Sequence, residues 1–363
     1  MLIANYNSTR KGCINNKIHH YSYLYNATNR DIVKPSPDIL YSYVFIDFNK
    51  INYIIFQLPE CEVYRSLTLY DNDTNVVHVF NHHKLSKNTN NNLTYNVMVV
   101  SPNFKIQHND TDMIIVRSPT NICLGIQRIF CSNKNKLNTL IDIQQKFIIN
   151  EINNNDHLSL SLSLSLLKNI FAVIVIYLCV YSGILITKYV LACILIDFLV
   201  YYMNERIINI FSSKIGPWKF NTMIGCKDCN CFLKLYIAIT SILALTKDEA
   251  IYMIACTDSS GNKLMPNEHY IIYFSNTLPA KWWSITAYGN DNYLIPNTKN
   301  IYSYNNEDIK NNFPFVIHLS NINNSYQNWL PSGTTNTQLV LRLYNSNLSN
   351  TFDVNHLPKI LKI

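Results

Sequence analysis

Cys226, Cys229 and Cys231 form the one cluster in this sequence with metal-ligand spacing, since thiolates two or three residues apart can share a zinc ion. A tetrahedral site needs a fourth ligand, and no second pair of cysteines or histidines stands at a matching distance. Metal binding is therefore the weaker reading, and incidental thiols or a local disulfide the stronger. His19-His20 and His82-His83 are adjacent pairs, and strand neighbours point to opposite faces, so each pair offers one imidazole per side. That is the pattern of surface histidines.

The sequence has no Gly-x-Ser-x-Gly elbow, phosphate-binding glycine loop, dinucleotide fingerprint or His-Glu-x-x-His helix. With only 8 glycines, backbone-cradled phosphate sites are disfavoured and no cofactor is expected. What remains is a set of polar and aromatic residues in segments otherwise built for burial: Asp38, Tyr41, Glu249, Trp283, Tyr288, Asn328, Trp329 and Arg342. A buried Asp or Arg must be paired or hydrogen-bonded, so these residues either tie strands and turns together or line a pocket for a small ligand or sugar. The structural role is the favoured one.

Short runs rich in Ile, Val, Tyr, Phe and Thr would position the first of these residues. They fall at 41–48, 53–58, 64–70, 76–80, 95–100 and 113–116, separated by Asn, Asp and Pro turn signals. Residues 134–152 have apolar positions at helical spacing and predict an amphipathic helix. Further strands are predicted at 251–256, 270–274, 282–288, 315–319 and 338–344, after a helix at 233–244. The expected class is mainly β: two β-sandwich-like domains with a few helices, joined by a transmembrane helical segment.

That segment is residues 169–187, which carry no charge and as a helix would reach about 28 Å, close to the roughly 30 Å hydrocarbon core. A second apolar run, 189–203, holds Asp197 near its middle and suits either a hairpin return or an interfacial helix. The N-terminal residues lack the apolar core of a secretory signal. The expected order is an irregular segment at 1–27, a domain at 28–152, a Leu/Ser-rich linker at 153–168, the membrane segment at 169–204 and a second domain at 205–363. Hydrophobic residues are 48% of the chain and charged residues 15%, below the usual share of roughly 25%. The net charge of +7 is scattered singly, which argues against nucleic acid as a partner.

Two stretches resemble paired bacterial families, the domains of unknown function 1254 and 1214. The first resemblance rests on Arg30-Asp31, Lys34-Pro35-Ser36-Pro37-Asp38, Tyr41-Ser42, Tyr64-Arg65-Ser66, Leu69-Tyr70, Asn75 and Val116-Arg117-Ser118-Pro119-Thr120. Ser36 and Ile39 depart from the family's Asn and Thr. The second rests on Gly216-Pro217-Trp218, Glu249-Ala250-Ile251-Tyr252, the run from Leu278 to Tyr288, Asn328-Trp329-Leu330-Pro331 and Leu341-Arg342-Leu343-Tyr344. Asn230-Cys231-Phe232 stands where the family shows Asp-Pro-Tyr. The resemblance implies predominantly β, sandwich-like domains and no assigned activity.

These features together lead to the expectation of a membrane-anchored cell-envelope protein, a binding or structural module in a bacterial inner membrane with its C-terminal domain on the periplasmic side. Its expected partners are the lipid bilayer and a small-molecule or envelope ligand. The alternatives are an enzyme acting on a lipid-like or envelope-associated small molecule, with Asp38 or Glu249 as acid or base and Arg342 as anion clamp, and a decaying gene fusion.

Overall fold

Runs rich in Ile, Val, Tyr and Phe become strands throughout the residues that the computed structural model describes: 14–81, 94–105, 113–154, 212–221, 223–225, 243–309, 313–323, 325–346 and 356–363. The first half contains β1 (Ile18–Tyr21), β2 (Ile39–Asp47), β3 (Ile51–Pro59), β4 (Arg65–Asp71), β5 (Val76–Asn81), β6 (Thr94–Val100), β7 (Ile114–Arg117), β8 (Ile122–Phe130) and β9 (Ile148–Asn154). A 3-10 turn (Lys134–Lys136) and helix α1 (Leu137–Gln145) lie between β8 and β9. The second half contains β10 (Ser213–Ile215), β11 (Trp218–Phe220), β12 (Ala250–Ala255), β13 (Tyr270–Phe274), β14 (Ala280–Tyr288), β15 (Ser303–Asn305), β16 (Phe315–Ser320), β17 (Trp329–Pro331), β18 (Gln338–Ser346) and β19 (Lys359–Lys362). Helix α2 (Asn306–Ile309) follows β15.

The sheets of the first half have the orders β1-β2-β8-β4-β5 and β7-β6-β3-β9, and those of the second β10-β11-β12-β18-β14-β15 and β17-β16-β13-β19. Strands β2-β8-β4-β5 correspond to β12-β18-β14-β15, and β7-β6-β3-β9 to β17-β16-β13-β19, with the same order along the chain. The match extends to direction, because β6–β7 and β16–β17 are the parallel pairs in sheets that are otherwise antiparallel. One sandwich plan is thus built twice.

Side chains alternate across a strand, and in both halves the alternation separates two kinds of core. Along β2, Val44 and Ile46 point into the first sandwich, while Ile39, Tyr41, Tyr43 and Phe45 point away from it. Along β18, Leu339, Leu341 and Leu343 fill the second sandwich, while Val340 and Tyr344 point away. The outward faces meet in one shared cluster that joins Tyr41, Tyr43, Tyr64 and Phe130 of the first half to Trp282, Tyr288, Val340 and Tyr344 of the second. Strands buried on both faces need no solvent side, so all nine residues of β2 are buried. Gly125 serves this packing on β8: a Cβ there would come 2.6 Å from Val44 Cγ1.

Two expectations are corrected here. Residues 134–152 do not form one helix: α1 ends at Gln145, and Ile148–Asn154 pairs antiparallel with β3 as β9. The β-branched run Ile148-Ile149 and Ile152 favours an extended chain once β3 offers an edge. The second correction concerns the membrane. Among the described residues no helix is long and apolar enough to cross a bilayer. The longest, α1, has 9 residues and would span about 14 Å, under half of a hydrocarbon core. The architecture is therefore mainly β with two short helices and no transmembrane helical segment among the described residues. Membrane anchoring loses its support with it. The runs at 169–187 and 189–203 lie outside those residues, as does the predicted helix at 233–244 apart from Leu243 and Ala244, which are not helical.

Candidate functional site: an arginine-lined cavity between the halves

The central strand of each outward-facing sheet carries one arginine, Arg128 on β8 and Arg342 on β18. Arg128 lies opposite Tyr41 on β2 and Ser66 on β4. Arg342 lies opposite Tyr252 on β12 and Ser284 on β14. The positions are equivalent, and so are the partners. Arg128 donates to Thr68 Oγ1 at 3.2 Å and to Tyr70 Oη at 3.1 Å. Arg342 donates to Thr286 Oγ1 at 3.1 Å and to Tyr288 Oη at 2.6 Å.

Each arginine then reaches across to the other half. Arg128 donates to the Leu243 carbonyl at 2.8 Å, and Arg342 to the Lys34 carbonyl at 3.0 Å. The tyrosines follow, with Tyr70 Oη donating to Leu243 O at 2.8 Å and Tyr288 Oη to Pro35 O at 2.6 Å. Two residues further along each strap, a backbone N–H meets a tyrosine from its own half: Ser36 N donates to Tyr41 Oη and Leu245 N to Tyr252 Oη, both at 3.3 Å. Each half therefore holds a strap of the other, in the reciprocal manner of a two-fold interface. The gripped residues Lys34 and Leu243 have φ of 48° and 64°. A side chain other than glycine in this left-handed region costs about 1–3 kcal/mol, and such strain persists where the surroundings over-determine it.

The two straps and two arginines enclose a cavity of about 80 Å³, whose walls include Lys34, Tyr41, Arg128, Tyr252, Arg342 and Tyr344. Arg128 and Arg342 are only 7% and 4% exposed. Neither has a carboxylate partner among the described residues; the ion pairs there, such as Arg30 with Asp291 at 3.0 Å, are surface ones. Burial pushes the Tyr288 hydroxyl up to about 12 and raises Tyr41 and Tyr70 as well, so these groups remain neutral donors around the guanidiniums. Lys34 is pushed down to about 8, first by burial, with Cys256 opposing the shift and Arg342 adding to it. The cavity is cationic, and its hydroxyls cannot neutralise it.

Family models match both halves: Protein of unknown function (DUF1254) over residues 15–151, and Protein of unknown function (DUF1214) over residues 249–348. One chain joins a DUF1254 domain to a DUF1214 domain. Among solved structures, the VPA0106 protein from Vibrio parahaemolyticus is similar at 15% identity, over 90% of this chain and 89% of that one, with a TM-score of 0.59. An uncharacterised protein from Burkholderia cenocepacia is similar at 9% identity, over 100% of this chain and 86% of that one, with a TM-score of 0.56. At these identities the likeness is one of fold. No curated protein matches the chain.

The residues singled out from the sequence separate into three groups. Tyr41, Tyr288 and Arg342 belong to the arginine clasp. Asp38 of the DUF1254 domain and Glu249 of the DUF1214 domain occupy equivalent positions three residues before Tyr41 and Tyr252, and each is held by a donor from the other half, Ser303 Oγ at 2.7 Å and Asn81 Nδ2 respectively. Asp38 lines a second cavity of about 480 Å³ with Asn133, Lys134, Asn305 and Asp308. Asn133, Lys134 and Asp308 are exposed there, so this cavity opens to water and carries charge of both signs. Trp283, Asn328 and Trp329 hold the DUF1214 core instead. Trp283 stacks on Phe274, Asn328 Nδ2 donates to Val316 O at 3.1 Å, and Trp329 Nε1 donates to Ser320 O at 3.1 Å. Cys226, Cys229 and Cys231 lie outside the described residues.

On the DUF1254 side of the clasp the sequence reading singled out Tyr41 and missed Lys34, Thr68, Tyr70 and Arg128 as site residues. A signal was present. Tyr64-Arg-Ser-Leu-Thr-Leu-Tyr-Asp-Asn-Asp73 and Trp282-Trp-Ser-Ile-Thr-Ala-Tyr-Gly-Asn-Asp291 are one pattern written twice, and internal repetition is the mark of a repeated unit.

Proposed function

We propose that the protein is a binding module that takes up a small anionic molecule in the cavity between its halves. One observation carries this reading: two buried guanidiniums and a lysine face a single cavity that no carboxylate among the described residues lines and in which none pairs with them, Asp38, whose charge Arg342 favours, lining the second cavity instead. Burying an ion costs several kcal/mol even after relaxation, and a bound anion is the group that would offset that cost here. Hydroxyls from Tyr41, Tyr252 and Tyr344 add donors suited to carboxylate or phosphate oxygens. The enzyme alternative lacks comparable support. Arg342 lines this cavity, Asp38 lines the other, and Glu249 lines neither, so the three groups do not converge.

Titration calorimetry of the purified protein with inorganic phosphate and a panel of small carboxylates at pH 7 tests the reading. Binding is expected, and Arg128→Met or Arg342→Met should weaken it by about 30-fold or more, the effect of removing one member of a buried hydrogen-bonded charge pair. No heat and no thermal shift with any small anion at millimolar concentration would overturn it.

Lys34 sets the pH dependence. Its ammonium is present below about pH 8 and lost above it, so anion affinity should fall between pH 7 and 9, with proton uptake on binding near pH 8. Stability of the ligand-free protein should move the other way. The unfolded chain holds this proton up to the ordinary lysine value and the folded chain only to about 8, so the lysine contributes a rise in stability as pH climbs through that window. Lys34→Met should flatten both curves.

A further inference from the structure

We propose that the ligand is a short dicarboxylate, held with one carboxylate on Arg128 and the other on Arg342. This rests on the anion-binding reading and goes beyond it, because what selects the ligand is the duplication of the site and not its charge alone. The two arginines occupy equivalent register positions on equivalent central strands. Each keeps the same Thr and Tyr partners, and each lines the same cavity. A molecule bound there meets two like cationic ends related by an approximate two-fold axis. A monoanion can satisfy one of them and leaves the other uncompensated, whereas a molecule with an anionic group at each end satisfies both.

The size of the cavity narrows the choice. One buried water needs on the order of 10–15 Å³, so about 80 Å³ accommodates roughly five to eight atoms of that size. A three- or four-carbon dicarboxylate has roughly seven or eight non-hydrogen atoms and fills that space. The walls between the arginines suit its middle. Ile126 and Val340 occupy equivalent positions two residues before the two arginines and, with Ile254, present apolar surface to a short methylene chain. Guanidinium forks match carboxylates in the plane, and each arginine commits only its two Nη atoms to protein partners. Lys34 breaks the symmetry, since the equivalent strap position is Leu243. It adds charge at one end and should strengthen mono- and dicarboxylates alike.

The test compares malonate, succinate and glutarate with acetate, propionate and inorganic phosphate by titration calorimetry on the full chain at pH 7 and fixed ionic strength. Malonate or succinate should bind at least about 30-fold more tightly than the monocarboxylates, the scale of one additional desolvated charge pair. Arg128→Met and Arg342→Met should each bring the dicarboxylate down to the monocarboxylate level, by similar factors. If mono- and dicarboxylates bind equally, or phosphate alone binds, the dicarboxylate assignment fails and the anion-binding reading stands. If nothing binds, both fail. The wild-type comparison decides these outcomes even where a variant does not fold.

Discussion

Arg128→Lys and Arg342→Lys should each destabilise the protein by about 2–4 kcal/mol, and by nearly the same amount, in urea unfolding. Each guanidinium makes three hydrogen bonds through its two Nη atoms, to a threonine, a tyrosine and a carbonyl of the opposite half. Lysine has one nitrogen at the end of a flexible stem and cannot reproduce that fork. Hydrogen bonds to charged groups contribute about 1.5–3 kcal/mol each, and a buried acceptor left without its donor costs a further 1–3 kcal/mol. The loss stays below the full sum because Tyr70 still donates to Leu243 O, the carbonyl that Arg128 releases, because Tyr288 keeps its own bond to Pro35 O of the strap that Arg342 grips, and because a buried lysine can shed its proton. Equality of the two losses is the sharper part of the expectation. A large loss at one arginine with none at the other would mean that the clasp is not reciprocal. Thr68→Val and Thr286→Val should show the same equality at about 1 kcal/mol.

The sequence made half of this clasp visible and hid the other half for a physical reason. Strand β13 falls at the predicted 270–274 because Tyr-Ile-Ile-Tyr-Phe alternates its burial as a strand with one core face should. Strand β8 went unread. Its run Ile-Cys-Leu-Gly-Ile-Gln-Arg-Ile-Phe is interrupted by Gly125, Gln127 and Arg128, residues that ordinarily break a strand or mark its solvent face. Here both faces of β8 are covered, one by the sandwich interior and the other by the opposite half, so a polar residue did not signal solvent. Thr68 and Tyr70 fell within the predicted strand 64–70 without being singled out as site residues, although both are buried. Periodicity reports burial against the nearest layer, and it cannot foresee that a second copy of the same sheet supplies a third. The repeat between residues 64–73 and 282–291 carried that information, since two copies of a face bearing Ser, Thr and Tyr have each other as the available self-complementary partner.

The membrane expectation finds no support among the described residues, where no helix is long and apolar enough to cross a bilayer. Ile, Leu and Tyr are abundant throughout this chain, in strands as well as in the apolar runs. The described fold spends that abundance on cores facing two ways, where a strand such as β2 can be buried along its whole length.

A third buried arginine should respond in the opposite sense, and Arg65→Met is expected to stabilise the protein by about 1–4 kcal/mol. Arg65 begins β4 and is 1% exposed. It immediately precedes Ser66, so it points to the other side of the sheet from the clasp, into the first sandwich. Both of its Nη atoms are buried without a hydrogen-bond partner among the described residues, and burial pushes its guanidinium down to about 10, only partly opposed by Cys61, Tyr95 and Glu60. Arg128 and Arg342 differ in that each makes three hydrogen bonds through its Nη atoms. The repeat supplies the control, because the equivalent position in the second half is Trp283, a core residue stacked on Phe274 at 5.3 Å. That position therefore suits an apolar side chain in this fold. Replacing a poorly compensated buried charge by a well-packed apolar side chain of similar volume is commonly neutral or stabilising by this amount, and methionine adapts its shape to the space the arginine stem leaves. Urea unfolding of Arg65→Met beside Arg128→Met separates the two kinds of buried arginine. A gain for the first and a loss for the second follow from their hydrogen bonds, whereas a loss for both would mean that Arg65 is anchored and that the first sandwich depends on its charge.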